Sequence, residues 1–163
     1  MRPVVKPSAL PWLVLSALLI VLDQWTKWLA VGHLVYQRPL PVVPGFWNWT
    51  LTHNVGAAFS LLAGAGGWQH GFFIALAFLI SGGLVLALAR TARGDWRNAL
   101  PFALVIAGAL GNVVDRLRLG YVVDFIQWYW RDFFWPVFNV ADSCIVVGAV
   151  LIGLFSIFPG KRG

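Results

Sequence analysis

The chain has 163 residues, of which 60% are hydrophobic and only 11% are charged, and its mean hydropathy is +0.77. Soluble domains are typically about half apolar and about a quarter charged. A domain of this size buries only about two thirds of the surface of its unfolded chain, so a water-soluble globule cannot shield this many apolar side chains. Composition therefore excludes an ordinary soluble domain and predicts an integral membrane protein.

The charged residues exclude two further classes of protein. The chain carries twelve Lys and Arg against six acidic residues, all of them Asp, for a net charge of +6. Its cations are scattered between apolar runs and form no continuous basic face, so we expect no nucleic-acid partner. The single cysteine, Cys144, excludes a disulfide within the chain and a metal site built from several thiolates.

Four apolar segments are long enough to cross about 30 Å of hydrocarbon as helices. The predicted fold is an all-α membrane protein with four transmembrane helices in a single integral membrane domain that covers residues 1–163. The spans are approximately 11–31, 70–89, 98–114 and 139–158. Two of them carry small or apolar residues at every fourth position, which is typical of packed membrane helices: Ala103, Ala107 and Gly111, and then Ala141, Ile145, Ala149 and Gly153.

Two longer connections separate these spans, and we expect both to be extracytoplasmic. Residues 32–69 are rich in Pro, Gly and aromatics, and the run FWNWTLTHN alternates like a strand, which predicts a small β-rich segment. Residues 115–138 are apolar but interrupted by charges and by Pro136. We predict that this second connection is an interfacial loop, either re-entrant or helical.

The cations also predict an orientation, because cytoplasmic loops carry an excess of Lys and Arg. Three cationic groups fall on one side of the membrane, which places both termini in the cytoplasm: Arg2 and Lys6; Arg90, Arg93 and Arg97; Lys161 and Arg162. A cleaved signal peptide is the less favoured interpretation of the first span, since its apolar stretch is long and carries Asp23 and Lys27.

Polar residues within apolar spans are costly to insert and usually face the bundle interior with a partner. Asp23 and Lys27 are four residues apart, on one face of a helix. They form either a polar anchor at the outer end of the first span or a helix end with a lysine that reaches the interface.

Two later segments repeat a pattern of an amide and an acid three residues apart. GNVVDR closes the third span with Asn112 and Asp115, and FNVADS opens the fourth with Asn139 and Asp142. Asp124 lies between them, in the apolar run YVVDFI. Simpler interpretations are an ion pair of Asp115 with a following arginine, Arg116 or Arg118, and a helix N-terminal role for Asp142.

The chemistry is assigned by elimination. The three histidines, His33, His53 and His70, lack metal-ligand spacing, so no metal or other cofactor is implied. Ser60 and Ser143 lack a plausible histidine base, and a Ser-Lys pair with Lys27 remains a minor alternative. Two neighbouring carboxyls, in contrast, share a proton and carry out acid-base chemistry. Spacing leaves open whether Asp142 pairs with Asp115 or with Asp124.

Five segments in order resemble one known family, the bacterial lipoprotein signal peptidases (signal peptidase II). They are DQWTK, NVGAAFS, GALGNVVDR, VVDF and FNVADS, from the first span to the fourth. The resemblance implies an aspartic endopeptidase of the inner membrane, with its active site near the outer leaflet. Its substrate would be a diacylglyceryl-modified prolipoprotein, cut before the lipidated cysteine.

The resemblance also implies roles for individual residues. The catalytic pair maps onto Asp124 and Asp142. The substrate-binding or supporting residues map onto Asp23, Lys27, Asn54, Gly56, Asn112, Asp115, Arg116 and Asn139. The implied partners are the lipidated substrate and membrane lipid, and we expect a monomer. A proton-coupled transporter and a structural assembly factor are the competing classes.

Overall fold

A computed structural model of the chain describes residues 7–56 and 68–158. Five residues that carry predictions lie outside the described residues: Arg2, Lys6, Ser60, Lys161 and Arg162.

Four helices dominate the structure. A 3-10 turn, Leu10–Trp12, leads into α1, Leu13–His33. Helix α2 is Trp68–Arg90, α3 is Trp96–Leu119 and α4 is Val140–Ile157. All four are long and apolar enough to cross a membrane. The predicted fold class, four transmembrane helices with a small β-rich segment, is confirmed.

A four-stranded antiparallel sheet lies at one end of the bundle, where α1 and α3 end and α4 begins. Its strands are β1, Leu40–Val43, β2, Trp47–Asn54, β3, Val122–Trp130, and β4, Phe133–Phe134, in the order β1-β2-β3-β4. The alternation in FWNWTLTHN therefore does correspond to a strand.

The prediction of a re-entrant or helical loop over residues 115–138 is wrong. Helix α3 continues to Leu119 and ends at Gly120, whose φ of +83° is the left-handed conformation that glycine adopts easily. The rest of the connection forms β3 and β4. Its β-branched and aromatic residues favour extended structure, and β2 supplies the neighbouring strand that satisfies its backbone.

Helix α3 is the centre of the bundle. Over an apolar stretch of 18 residues, 56% of the residues of α3 are buried, against 11% of those of α2. The side chains of α2 are therefore left to face lipid. Glycine brings α4 close to α3, because a Cβ on Gly108 would clash with the carbonyl oxygen of Ala141. A Cβ on Gly148 would lie 2.7 Å from Val105.

The predicted packing stripe is present in α3 but only at the start of α4. Ala103, Ala107 and Gly111 are buried. In α4, Ala149 is exposed and Gly153 meets nothing within 4 Å, whereas Gly148 makes the close contact. A helix turns once per 3.6 residues, so a strict four-residue step rotates about 40° each time and leaves the contact face.

Candidate active site at the sheet end of the bundle

Lys27 is the centre of a buried polar cluster. Its Nζ atom lies 2.8 Å from Asp23 Oδ2, 2.9 Å from Asp115 Oδ2 and 3.0 Å from Asn112 Oδ1. An ammonium group has three donors, and all three are used here. The side chain is only 4% exposed. The polar-anchor interpretation of Asp23 and Lys27 is therefore the right one, because the lysine ammonium is buried among protein groups.

The two carboxylates that hold Lys27 each bind a further element through the backbone. Asp23 Oδ1 accepts a hydrogen bond from the Ala141 amide in the first turn of α4, at 2.8 Å. Asp115 Oδ2 accepts one from the Val123 amide of β3, at 3.0 Å. One cation thus connects α1, α3, α4 and the sheet. The simpler interpretation of Asp115, an ion pair with Arg116 or Arg118, is not what the structure has, because Lys27 is its salt-bridge partner.

Gln24 belongs to this cluster and is a residue that the sequence analysis missed. Its Nε2 atom lies 2.8 Å from Asp115 Oδ1 and 3.2 Å from both Asp23 Oδ2 and the Gly111 carbonyl oxygen. An amide next to Asp23 within an apolar span was the available signal, since uncharged polar side chains also bridge membrane helices.

Asp142 and Asn139 open α4 together in a reciprocal capping box. The Asp142 amide donates to Asn139 Oδ1 at 2.8 Å, and the Asn139 amide donates to Asp142 Oδ2 at 3.2 Å. The helix N-terminal role considered for Asp142 is therefore real. Its other oxygen accepts from Asn112 Nδ2 at 2.8 Å, so the side chain also belongs to the polar cluster.

Asp124 lies on β3 and is 2% exposed. Its Oδ1 atom accepts a hydrogen bond from Asn139 Nδ2 at 2.7 Å, and the Asn54 side chain binds the same carboxyl. Asn139 therefore contacts both carboxyls, Asp124 through its side chain and Asp142 through its backbone amide. The structure brings these two aspartates together, whereas both oxygens of Asp115 are bound to Lys27, Gln24 and Val123.

The environment of Asp124 favours its protonated form. Burial, which penalises a charged carboxylate, and then the negative charge of Asp142 raise the pKa of Asp124 to about 7, against the lowering effects of Asn54, Asn139 and Lys27. Near neutral pH the protonated form of this carboxyl is therefore populated.

Arg116 and Gly56 complete the predicted set. The Arg116 guanidinium interacts electrostatically with the carboxyls of Asp142, Asp124 and Asp115. It also lies 5.2 Å from the ring centroid of Phe73. The Gly56 amide donates to Asn54 Oδ1 at 2.9 Å, which orients the Asn54 side chain. Gly56 has a φ of +93°, and a Cβ here would lie 3.0 Å from Phe73, so only glycine fits without strain.

The groups proposed for other chemistries have structural partners. His53 stacks on Tyr121 with ring centroids 4.0 Å apart, and the Ser143 hydroxyl donates to the Asn139 carbonyl oxygen at 2.9 Å. The donors of Lys27 are all engaged, which leaves none for a serine. Over residues 7–56 and 68–158, no group of three or more His, Cys, Asp or Glu side chains is arranged to hold a metal ion.

Fold and site together define a four-helix membrane protein in which one asparagine, Asn139, contacts two carboxyls at one end of the bundle. A family model described as signal peptidase (SPase) II matches residues 15–158. The lipoprotein signal peptidase of Xanthomonas campestris pv. campestris (strain 8004) is 62% identical over 157 residues, covering 96% of this chain and 94% of the relative. That of Xylella fastidiosa (strain M12) is 56% identical over 156 residues, covering 96% and 93%.

A solved structure has the same fold. A bacterial membrane enzyme determined by the in meso method at 1.9 Å resolution superposes with a TM-score of 0.80 at 30% identity, covering 95% of this chain and 97% of that one. The chain belongs to the signal peptidase II family. It is a multi-pass membrane peptidase.

The cluster around Lys27 predicts the effect of Asp115→Asn. An amide keeps one acceptor oxygen of the two, so it cannot serve Lys27, Gln24 and Val123 together. We expect a loss of about 3 kcal/mol, since breaking a buried ion pair is strongly destabilising. This corresponds to a fall of about 6–12 °C in Tm. Thermal unfolding in detergent measures it, and activity should fall as well.

Asp132→Asn is the matched control, because Asp132 is exposed and follows β3 in the connection to β4. Its Tm should equal that of the wild type. An Asp115→Asn variant with unchanged melting and full activity would show that the ion pair of Asp115 with Lys27 contributes nothing to stability.

Proposed function

We propose that this chain is an aspartic endopeptidase that removes signal peptides from prolipoproteins, with Asp124 and Asp142 as the catalytic pair. The observation that carries this proposal is the bridging of these two carboxyls by Asn139, at 2.7 Å and 3.2 Å. The names of the relatives, lipoprotein signal peptidases, supply the substrate class.

The chemistry follows from one proton held between two carboxyls. The ionised member takes a proton from a water molecule, whose oxygen attacks the carbonyl carbon of the scissile peptide. The protonated member donates to the carbonyl oxygen and stabilises the tetrahedral intermediate. When the C–N bond breaks, the leaving nitrogen takes the proton that the first carboxyl gained from the water, and a hydroxyl of the intermediate returns a proton to the second carboxyl, so the pair is back in its starting state. The raised pKa of Asp124 supports its role as the protonated member near neutral pH.

The remaining residues support this pair. Asn54, Asn112 and Asn139 donate hydrogen bonds to the two carboxyls as neutral amides, so they orient them without forcing both to ionise. Lys27, Asp23 and Asp115 hold the elements that carry the pair. Both carboxyls and all of these supporting side chains belong to one chain, which supports a monomeric enzyme.

We infer that the substrate is diacylglyceryl-modified and is cut before its lipidated cysteine. The pair lies where the ends of the apolar helices meet the sheet, which is the headgroup depth that a lipid-anchored substrate reaches by lateral diffusion. Exposed indoles at this end, including Trp28, Trp128 and Trp130, suit a membrane interface. Arg90, Arg93 and Arg97 lie near the opposite end of the bundle and support cytoplasmic termini, an outer-leaflet active site and a location in the bacterial inner membrane.

The substrate requirement is tested with detergent-solubilised protein and two matched prolipoproteins, one diacylglyceryl-modified and one unmodified. We expect cleavage of the modified form alone, because the lipid holds the scissile bond at the depth of the carboxyls. Mass spectrometry of the products locates the cut. Equal cleavage of both forms would contradict the lipid requirement, and cleavage of neither would contradict the proposed function.

The catalytic pair is tested by Asp124→Asn and Asp142→Asn. Each replacement keeps the shape of the side chain and removes the shared proton, so the cleavage rate should fall by about 10²–10⁴-fold. Asp132→Asn serves again as the control and should retain wild-type rates. A variant of either paired residue that keeps near wild-type turnover removes that residue from the pair, provided that its Tm shows a folded protein.

The pH dependence follows from the raised pKa of Asp124. Below its pKa of about 7 the carboxyl retains the proton that the mechanism needs, and above that pH it loses it. The rate should therefore fall by about tenfold per pH unit on the alkaline side. Initial rates at saturating lipidated substrate, measured from about pH 5 to about pH 9, test this dependence. A rate that continues to rise above about pH 8 would contradict this protonation state.

A further inference from the structure

Side chains of strand β2 lie on the same face of the sheet as Asp124. Strand β2 runs antiparallel to β3, with Thr52 directly opposite Asp124 and Asn54 opposite Val122. Opposed residues in an antiparallel pair share a face, with Cβ atoms about 4.5–5.5 Å apart. Asn54, two residues after Thr52, lies on that same face, and its side chain binds the Asp124 carboxyl. Thr52 is therefore a direct neighbour of the proposed catalytic carboxyl.

Thr52 differs from its polar neighbours because its hydroxyl has no hydrogen-bond partner among residues 7–56 and 68–158. The side-chain oxygens of the three asparagines of the site all accept hydrogen bonds from the protein. Asn54 accepts from the Gly56 amide, Asn112 from Lys27 and Asn139 from the Asp142 amide. The Thr52 side chain is only partly buried. A hydroxyl beside the reactive carboxyl that none of the described residues binds is available to a ligand.

We propose that the Thr52 hydroxyl is a substrate-binding group that donates a hydrogen bond to a backbone carbonyl of the prolipoprotein beside the scissile bond. This rests on the proposed function, since the carbonyl under attack must lie at Asp124 and Asp142. Peptide groups of an extended chain follow one another at about 3.3 Å per residue. The distance between Thr52 and Asp124 across the strands is therefore that of one or two residues of an extended substrate. If Asp124 lies at the scissile bond, Thr52 reaches a carbonyl one or two residues away from it.

The test compares Thr52→Val, which keeps the shape and removes the hydroxyl, with Thr52→Ser, which keeps the hydroxyl. Loss of one hydrogen bond made equally in the bound and transition states raises KM and leaves kcat unchanged. We expect Thr52→Val to raise KM by about threefold to tenfold, with kcat within about twofold. Thr52→Ser should stay within about twofold of the wild type in both constants.

Thr91→Val is the matched control, because Thr91 directly follows α2 at the far end of the bundle and its hydroxyl donates to the Ala87 carbonyl oxygen of that helix. It should leave KM and kcat unchanged. The Tm of all three variants should remain near that of the wild type, so that a KM effect reports substrate binding.

A second arm replaces the substrate carbonyls that flank the scissile bond, one at a time, with thiocarbonyls, which are weaker acceptors. One of these substitutions should raise KM for the wild type and have no further effect on Thr52→Val. Three results would overturn the proposal: wild-type KM in Thr52→Val, equal losses in the Val and Ser variants, or a loss confined to kcat with a shifted pH profile. Because the wild type and Asp124→Asn run in parallel, failure of the proposed function appears separately, as a wild type that does not cut.

Discussion

The structure depends on one buried cation, Lys27. Its ammonium group satisfies two carboxylates and an amide, and those carboxylates bind the backbone of α4 and of β3. A charge at this depth is tolerated only when it is fully paired, so the four elements must meet in one arrangement. In an apolar bundle, where most packing contacts are interchangeable, this requirement specifies how the helices and the sheet are oriented around the site.

The site separates two kinds of carboxylate. Asp23 and Asp115 both form salt bridges with Lys27 and serve the architecture. Asp124 and Asp142 are instead held by hydrogen bonds from neutral amides, mainly Asn139, and Lys27 and Arg116 act on them electrostatically without a direct salt bridge among the described residues. That difference follows from which side chains surround each pair. Burial and then the neighbouring Asp142 carboxylate outweigh the lowering effects of the two amides and of Lys27, and raise the pKa of Asp124 to about 7.

Part of this organisation could be predicted from the chain alone. Apolar length predicts four helices because the thickness of a bilayer sets a minimum span. Polar residues are rare in such spans because their insertion is costly, so Asp23, Asn112 and Asp115 are predicted to face the bundle interior and to bind a polar partner there. The error over residues 115–138 has a physical cause. A segment of alternating aromatic and polar residues becomes a strand only when a neighbouring strand satisfies its backbone, and that neighbour, β2, is about 70 residues earlier in the chain.

Sequence by itself determined the membrane class, the helices and the small set of polar residues from which a site could be built, because composition and helical spacing are local properties. Only the tertiary structure decided which of the other carboxyls lies near Asp142. Spacing allowed Asp142 to pair with either Asp115 or Asp124, and the fold places Asp115 on Lys27 and leaves Asp124 beside Asn139. The physical reason is that pairing between distant residues depends on how α3, α4 and β3 pack, and Gly108 sets that approach by lacking a side chain.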